Sequence, residues 1–299
     1  MPQLIPDGAM PGHTDAIRGH RHDRSPRIRL AALALAAATA LLLPVAAPAR
    51  ADEPKYYLAL GDSLAVGSQF GKGPTDEGYA DHLHAALRDR EPGLRLVKLG
   101  CGGETTTTML AGGICPYPEG SQMSAAAAFL ERHAGRVAYV TLDIGANNTE
   151  CVLDGDLACG VRGGGALLTE LTRIAARLRQ AGGDTPIYAA MTYYDPGLAA
   201  WLSGIPGPAI AAASVPLVDT FNTWGRTVYH ANGFEVADVN AAFDTHDFTP
   251  ITDPRYGTIP LNVARICAWT SQCTDNDGHA TPAGYRRIAD AFLPVLTRP

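Results

Sequence analysis

Five short apolar runs alternate with segments of helical pattern along most of this chain, and that alternation constrains the fold more than any other feature. The runs are residues 55–61 (KYYLALG), 95–100, 136–145 (RVAYVTLDIG), 186–194 (PIYAAMTYY) and 234–240 (FEVADVN). They are apolar nearly throughout, which suits strands buried on both faces of a parallel sheet. Between them the pattern predicts helices over about 79–90, 120–134, 163–182 and 208–231. A last helix is predicted from Pro282, a residue suited to a first helical turn, with Thr281 as its N-cap. Strands alternating with helices in this way imply an α/β fold with a parallel sheet. In such sheets functional groups gather at the carboxyl ends of the strands. No internal repeat or low-complexity linker interrupts residues 52–299, which read as one domain.

The first 51 residues read differently. Arg27 and Arg29 precede the apolar run LAALALAAATALLLPVAAPA, which closes on Ala49-Arg50-Ala51. A charged start, an apolar stretch and an A-x-A ending mark a secretory signal peptide, with cleavage expected before Asp52. The run is Ala-rich, contains Pro44 and has no basic stop-transfer cluster, which argues against a membrane anchor. Removing the six Arg and three Asp of residues 1–51 from the 24 basic and 30 acidic residues of the chain leaves a formal charge of −9. An acidic domain without a basic stripe is a poor partner for nucleic acid or an anionic membrane surface. No second apolar run is long enough for stable membrane insertion. A secreted monomer is expected.

All six cysteines lie after residue 51, and an even count in an exported chain implies disulfides. Six cysteines allow fifteen pairings. They fall in three sequence-local couples, which favours Cys101–Cys115, Cys151–Cys159 and Cys267–Cys273. The chain has no C-x-x-C and no His at ligand spacing, so no metal site is expected.

The strand ends carry a chemically coherent set. GDSLAVG follows the first run and presents Ser63. GCGGETTTT follows the second and presents Gly102 and Gly103, and GANN follows the third and presents Asn147. DGHATPAGY stands just before the last helix and presents His279. A serine hydroxyl is a weak nucleophile until a base takes its proton, and imidazole is the usual base. Attack on an ester carbonyl puts negative charge on oxygen, which the backbone N–H groups of Ser63 and Gly103 and the side-chain amide of Asn147 are suited to hold. Gly103 lets the backbone approach closely, and the Ser63 N–H is expected at the start of a helix.

These four stretches resemble the blocks of the GDSL, or SGNH, hydrolase family of serine esterases and lipases. The likeness runs from residue 55 to about 297. LALGDSLAVG resembles the first block and implies Ser63 as nucleophile. LGCGGETT and IGANN resemble the second and third and imply Gly103 and Asn147 in the oxyanion hole. DGHATPAGY resembles the last and implies His279 as the base. The resemblance implies a three-layer α/β/α sandwich around a five-stranded parallel sheet, flavodoxin-like in outline, working without a cofactor on a small-molecule or lipid ester. No G-x-S-x-G occurs, which argues against the ordinary α/β-hydrolase elbow.

The chain departs from the family at two positions. Asn148 stands where the third block usually carries Asp. The family acid three residues before the histidine is replaced by Asn276, flanked by Asp275 and Asp277. Asp277 is taken as the third member of the triad; Asp275, Asn276 through its amide oxygen, or a backbone carbonyl, are the alternatives. His246 in DTHD is the one rival to His279, but it stands before no helix start. DNDG (275–278) faintly resembles a calcium loop yet lacks the downstream glutamate. Tyr193, Tyr194 and Asp195, with the Gly- and Pro-rich stretch 193–210, are candidates for a pocket wall or lid. The same four groups would serve a carbohydrate acetylesterase, and the missing D-x-x-H acid leaves room for a non-catalytic binding protein on a hydrolase scaffold.

Overall fold

A computed structural model describes residues 54–149 and 156–298. The predicted leader, and Cys151 with its predicted bond to Cys159, lie outside the described residues. Strands β1 (Tyr56–Gly61), β2 (Arg95–Lys98), β3 (Val137–Asp143), β4 (Ile187–Met191) and β5 (Glu235–Ala237) form a parallel sheet ordered β2-β1-β3-β4-β5. Leu58 pairs with Val97 on one side and Val140 on the other, and Ala190 pairs with Val236. The helices in chain order are α1 (Tyr79–Leu87), α2 (Thr106–Ala111), α3 (Gln122–Arg132), α4 (Leu157–Gly182), α5 (Gly207–Ala231), α6 (Val239–Ala242), α7 (Leu261–Trp269), α8 (Gln272–Asp275) and α9 (Pro282–Leu296).

The pleat of β1 sorts the core into two halves. Tyr57 and Ala59 belong to one cluster, with Tyr79 and Leu83 of α1 and Tyr285, Ile288 and Phe292 of α9. Leu58 and Leu60 belong to the other, with Met109 of α2, Met123 and Leu130 of α3, and Leu171 and Ile174 of α4. The expected three layers are thus present, with the sheet in the middle. This order places the switch between crossover directions at β1 and β3, where ligand crevices open in sheets of this kind.

Each of the five predicted strands and five predicted helices is present and in the predicted order, with shorter strands. The run 234–240 stops being strand at Ala237 because the Asp238 side chain accepts the Ala241 N–H and starts α6. The turn at Ser63 differs from expectation. No helix begins there: residues 62–67 form turns, closed by Gly67 N–H on the Leu64 carbonyl and Ser68 N–H on the Ser63 carbonyl, and α1 starts only at Tyr79. Also unforeseen are α2, α6 to α8, and the hairpin of β6 (Pro250–Asp253) with β7 (Gly257–Pro260).

Phe292 is fully buried and stacks on Tyr79 with centroids 5.1 Å apart, tying α9 to α1. Phe292→Ala is expected to lower unfolding free energy by about 3–5 kcal/mol, read as a fall in the urea midpoint at unchanged slope.

Candidate active site

The site begins at the last residue of β1. Gly61 lies opposite Asp143 of β3, at φ +134°, and a Cβ placed on it would fall 1.8 Å from the Asp143 carbonyl oxygen. Only glycine fits that seam. Gln122 of α3 grips both backbone polar groups of Gly61. Its Oε1 accepts the Gly61 N–H at 2.7 Å, and its Nε2 donates to the Gly61 carbonyl at 2.9 Å and to Glu104 at 3.0 Å. Beyond this clamp the Asp62 N–H donates to the Asp143 carbonyl at 3.0 Å, and Ser63 follows.

His279 returns to that turn from the far end of the chain. Its Nε2 lies 2.8 Å from Ser63 Oγ, across 216 residues of sequence. Its Nδ1 lies 2.8 Å from Asp277 Oδ1, and the same oxygen accepts the His279 backbone N–H at 2.8 Å. A carboxylate can only accept, so Nδ1 carries the proton and Nε2 faces the serine as an acceptor. Asp277 closes an Asx turn and orients the ring with one atom. The other two candidates are turned elsewhere: Asn276 accepts from Gln272 Nε2 at 2.8 Å and Asp275 from Thr274 Oγ1 at 2.7 Å. Asn276 supplies the bend, at φ +52°, a conformation asparagine tolerates better than most residues.

The loop around His279 is tied at several points. Ser271 N–H donates to the His279 carbonyl and Thr281 N–H to the Trp269 carbonyl. Tyr194 Oη donates to the Gly278 carbonyl at 2.6 Å, and the Cys267–Cys273 disulfide closes the chain just upstream. Thr281 caps α9, as expected, by accepting the Gly284 N–H.

The second and third stretches come together as a unit. Cys101–Cys115 closes the loop holding Gly102 and Gly103, both exposed, with Gly103 at φ +77°. Asn147 lies in a 3-10 turn (Ala146–Asn148), and its Nδ2 donates to the Glu104 carbonyl at 2.9 Å. That bond holds the amide against the glycine loop and uses one of its two N–H groups. Asn148 explains its departure from the family residue: its Oδ1 accepts the Thr106 N–H at 2.9 Å, while its Nδ2 donates to Thr106 Oγ1 at 2.7 Å. The Thr106 hydroxyl gives its proton to Glu170 Oε2 at 2.7 Å, so the partner at 148 must donate, which a carboxylate cannot do.

Other residues fall away from this cluster or beside it. His246 pairs with Asp219 at 2.9 Å on the surface. Asp195 caps the 3-10 turn Pro196–Leu202 and accepts from Ser214. Among the described residues no group of three His, Cys, Asp or Glu could hold a metal ion, and no helix is long and apolar enough to cross a membrane. Sequence reasoning missed Gln122, Glu104 and the pair Asp62–Asp143. The signal for the last was available: Asp143 ends an otherwise apolar strand, and a charge there requires partners.

With this geometry in place, comparison with known proteins is decisive on family. The model of the GDSL-like lipase/acylhydrolase family matches residues 59–287. The chain belongs to that family. It is accordingly an ester hydrolase. No curated protein matches it significantly by sequence. Solved structures with a similar fold include an acetylxylan esterase from Geobacillus stearothermophilus (17% identity, 82% of this chain and 95% of that one, TM-score 0.50). An extracellular lipase from Streptomyces rimosus is another (18% identity, 81% and 98%, TM-score 0.51).

Gly61→Ala tests the seam on which the hydrolase site is built. Positive φ and overlap with the Asp143 carbonyl together are expected to cost about 3–5 kcal/mol, seen as a large drop in denaturation midpoint or loss of soluble protein.

Proposed function

We propose that the protein is a secreted serine esterase or lipase that cleaves acyl esters through an acyl-enzyme on Ser63. The hydrogen-bonded chain from Ser63 Oγ through His279 to Asp277 carries this reading. His279 takes the serine proton as Oγ attacks the ester carbonyl, then passes it to the departing alcohol. Asp277 stabilises the imidazolium and holds the tautomer. Water then attacks the acyl-enzyme with His279 again as base. The backbone N–H groups of Ser63 and Gly103 and the Asn147 amide receive the oxyanion. No cofactor is required. The chain of bonds also argues against a retired scaffold that only binds.

Export is the reading that accounts for the apolar N-terminal run and the disulfides together. The chain is read as a monomer whose substrate is a small-molecule or lipid ester. Residues 196–218 favour esters with an apolar part over acetylated polysaccharide. That stretch of 23 residues contains no charged side chain, starts at Pro196 against Gly278, and exposes Ile205, Ile210 and Leu217.

Ser63→Ala is expected to cut kcat/KM on p-nitrophenyl acyl esters by at least about 1,000-fold while the protein stays folded; full turnover in that variant would overturn the mechanism. Asp277→Ala is expected to lose on the order of 100- to 10,000-fold, and Asp275→Ala no more than about threefold. A series from acetyl to longer acyl esters, run beside acetylated xylan, separates the two substrate classes. Rising kcat/KM with chain length supports the lipophilic reading, and preference for acetylated xylan overturns it.

A further inference from the structure

Nucleophile and base meet across 216 residues of sequence, and both stand outside helix and strand. Two buried phenols reach the turns that carry them. Tyr285 is fully buried in α9, the helix that begins just after His279. Its hydroxyl donates to the Ser68 carbonyl at 2.6 Å, and the Ser68 N–H donates in turn to the Ser63 carbonyl at 2.9 Å. The helix that follows the base is thereby tied, through two hydrogen bonds, to the backbone of the nucleophile.

Tyr194 acts on the other side of the contact. Its position after β4 makes it a candidate pocket wall, yet the ring is buried. It stacks on Phe243 with centroids 4.5 Å apart and 12° between the planes, and Phe243 meets Trp269 edge-on at 5.2 Å. The Tyr194 hydroxyl donates to the Gly278 carbonyl at 2.6 Å. That carbonyl and the His279 N–H belong to one peptide group, and Asp277 Oδ1 holds the N–H at 2.8 Å. A peptide group is planar. Pinning both its ends fixes the plane, and with it the Asx turn through which Asp277 orients the ring.

We propose that Tyr194 and Tyr285 are positioning residues whose hydroxyls set the contact between Ser63 and His279, Tyr285 from the side of the nucleophile and Tyr194 from the side of the base. This deepens the reading of Ser63 and His279 given above and rests on it. Packing alone does not account for the hydroxyls. A phenylalanine would fill the same space, and a buried hydroxyl costs stability unless it finds a partner. Burial keeps both phenols protonated, so each has a proton to give. Each gives it to a carbonyl in one of the two catalytic turns. Loss of either bond misplaces the reacting atoms without removing a contact to substrate, so kcat falls and KM is kept.

Tyr194→Phe and Tyr285→Phe retain the ring and remove the hydroxyl. Each is expected to lower kcat on p-nitrophenyl esters by about 10- to 100-fold with KM within about twofold. The labelling rate with a fluorophosphonate probe, whose fluoride Ser63 Oγ displaces, is expected to fall by a similar factor. Tyr188→Phe is the control. It removes a buried hydroxyl that donates to the Leu178 and Gly183 carbonyls from the amino end of β4, away from the rim. Its kcat is expected to stay within about twofold of wild type. A folded Tyr194→Phe or Tyr285→Phe protein with the wild-type rate overturns the proposal, as does a Tyr188→Phe loss of the same size.

4-Aminophenylalanine in place of either tyrosine keeps a donor at the same point, and is read also where phenylalanine fails to fold. Its rate is expected within about threefold of wild type; a loss as large as that expected for phenylalanine overturns the proposal. Nitrogen-15 NMR of the His279 ring needs no turnover. Tyr194→Phe is expected to move the Nδ1 signal and Tyr285→Phe the Nε2 signal, while Tyr188→Phe leaves both in place. Ring signals unchanged in Tyr194→Phe and Tyr285→Phe overturn the proposal. A wild-type protein that neither hydrolyses esters nor takes the probe would refute the Ser63 reading instead, and the ring signals would still decide this one.

Discussion

Strands β1 and β3 run side by side at the centre of the sheet, and their register sets Gly61 against Asp143 with no room for a side chain between them. Much of the site follows from that contact. Because the backbones close up there, the Asp62 N–H reaches the Asp143 carbonyl and the chain turns sharply away. The turn, with no helix behind it, leaves Ser63 at the rim. The same closeness leaves the Gly61 N–H and carbonyl beside α3, where Gln122 satisfies both. Gln122 also reaches Glu104, whose carbonyl holds Asn147. Ser63, the glycine loop and the Asn147 amide are thus parts of one hydrogen-bonded joint.

The histidine reaches this joint from a different element and must be held independently. Its loop hangs between α7 and α9, pinned by backbone bonds, by a disulfide and by the Tyr194 hydroxyl. The D-x-H spacing works because a single oxygen does two jobs. An acid three residues upstream would stand at position 276, in the left-handed bend itself, where Gln272 already holds the side chain. Moving the acid one residue closer makes the Asx turn itself the orienting device, so the imidazole is fixed by the same bond that shapes the loop.

What was legible in the sequence divides along physical lines. The long apolar strands and the capped helices announced themselves by pattern, since burial on two faces leaves no polar positions to confuse the signal. The short elements between 239 and 275 did not, because a four-residue helix such as α6 is set by one capping side chain and its tertiary contacts rather than by periodicity. Ser63, Gly103, Asn147 and His279 could be named as candidates because each stands in a loop or turn beside an element that the pattern marks. Asp277 could be named only with alternatives, since a choice among three adjacent residues turns on one φ angle that composition does not reveal. Gln122 was invisible: a glutamine at the start of an Ala-rich helix looks like a surface residue, and only the folded chain shows it buried against Gly61.

The buried carboxyls of Asp62 and Asp143 sharpen the relation between stability and function in this site. Asp143 has its proton affinity raised by burial and by Asp62, whereas in the unfolded chain it would ionise in the ordinary carboxylate range. The fold therefore keeps a proton that the unfolded chain releases, and the resulting loss of stability grows as pH rises above the ordinary value toward the folded one. Around neutrality the protein bears that cost continuously. An apolar pair at these positions would avoid it, but would leave the Leu64 N–H and the Tyr193 and Tyr79 hydroxyls without their acceptors. The arrangement is intelligible if the energy given up in the core is recovered at the rim, where the Asp62 carboxylate holds the turn that carries Ser63.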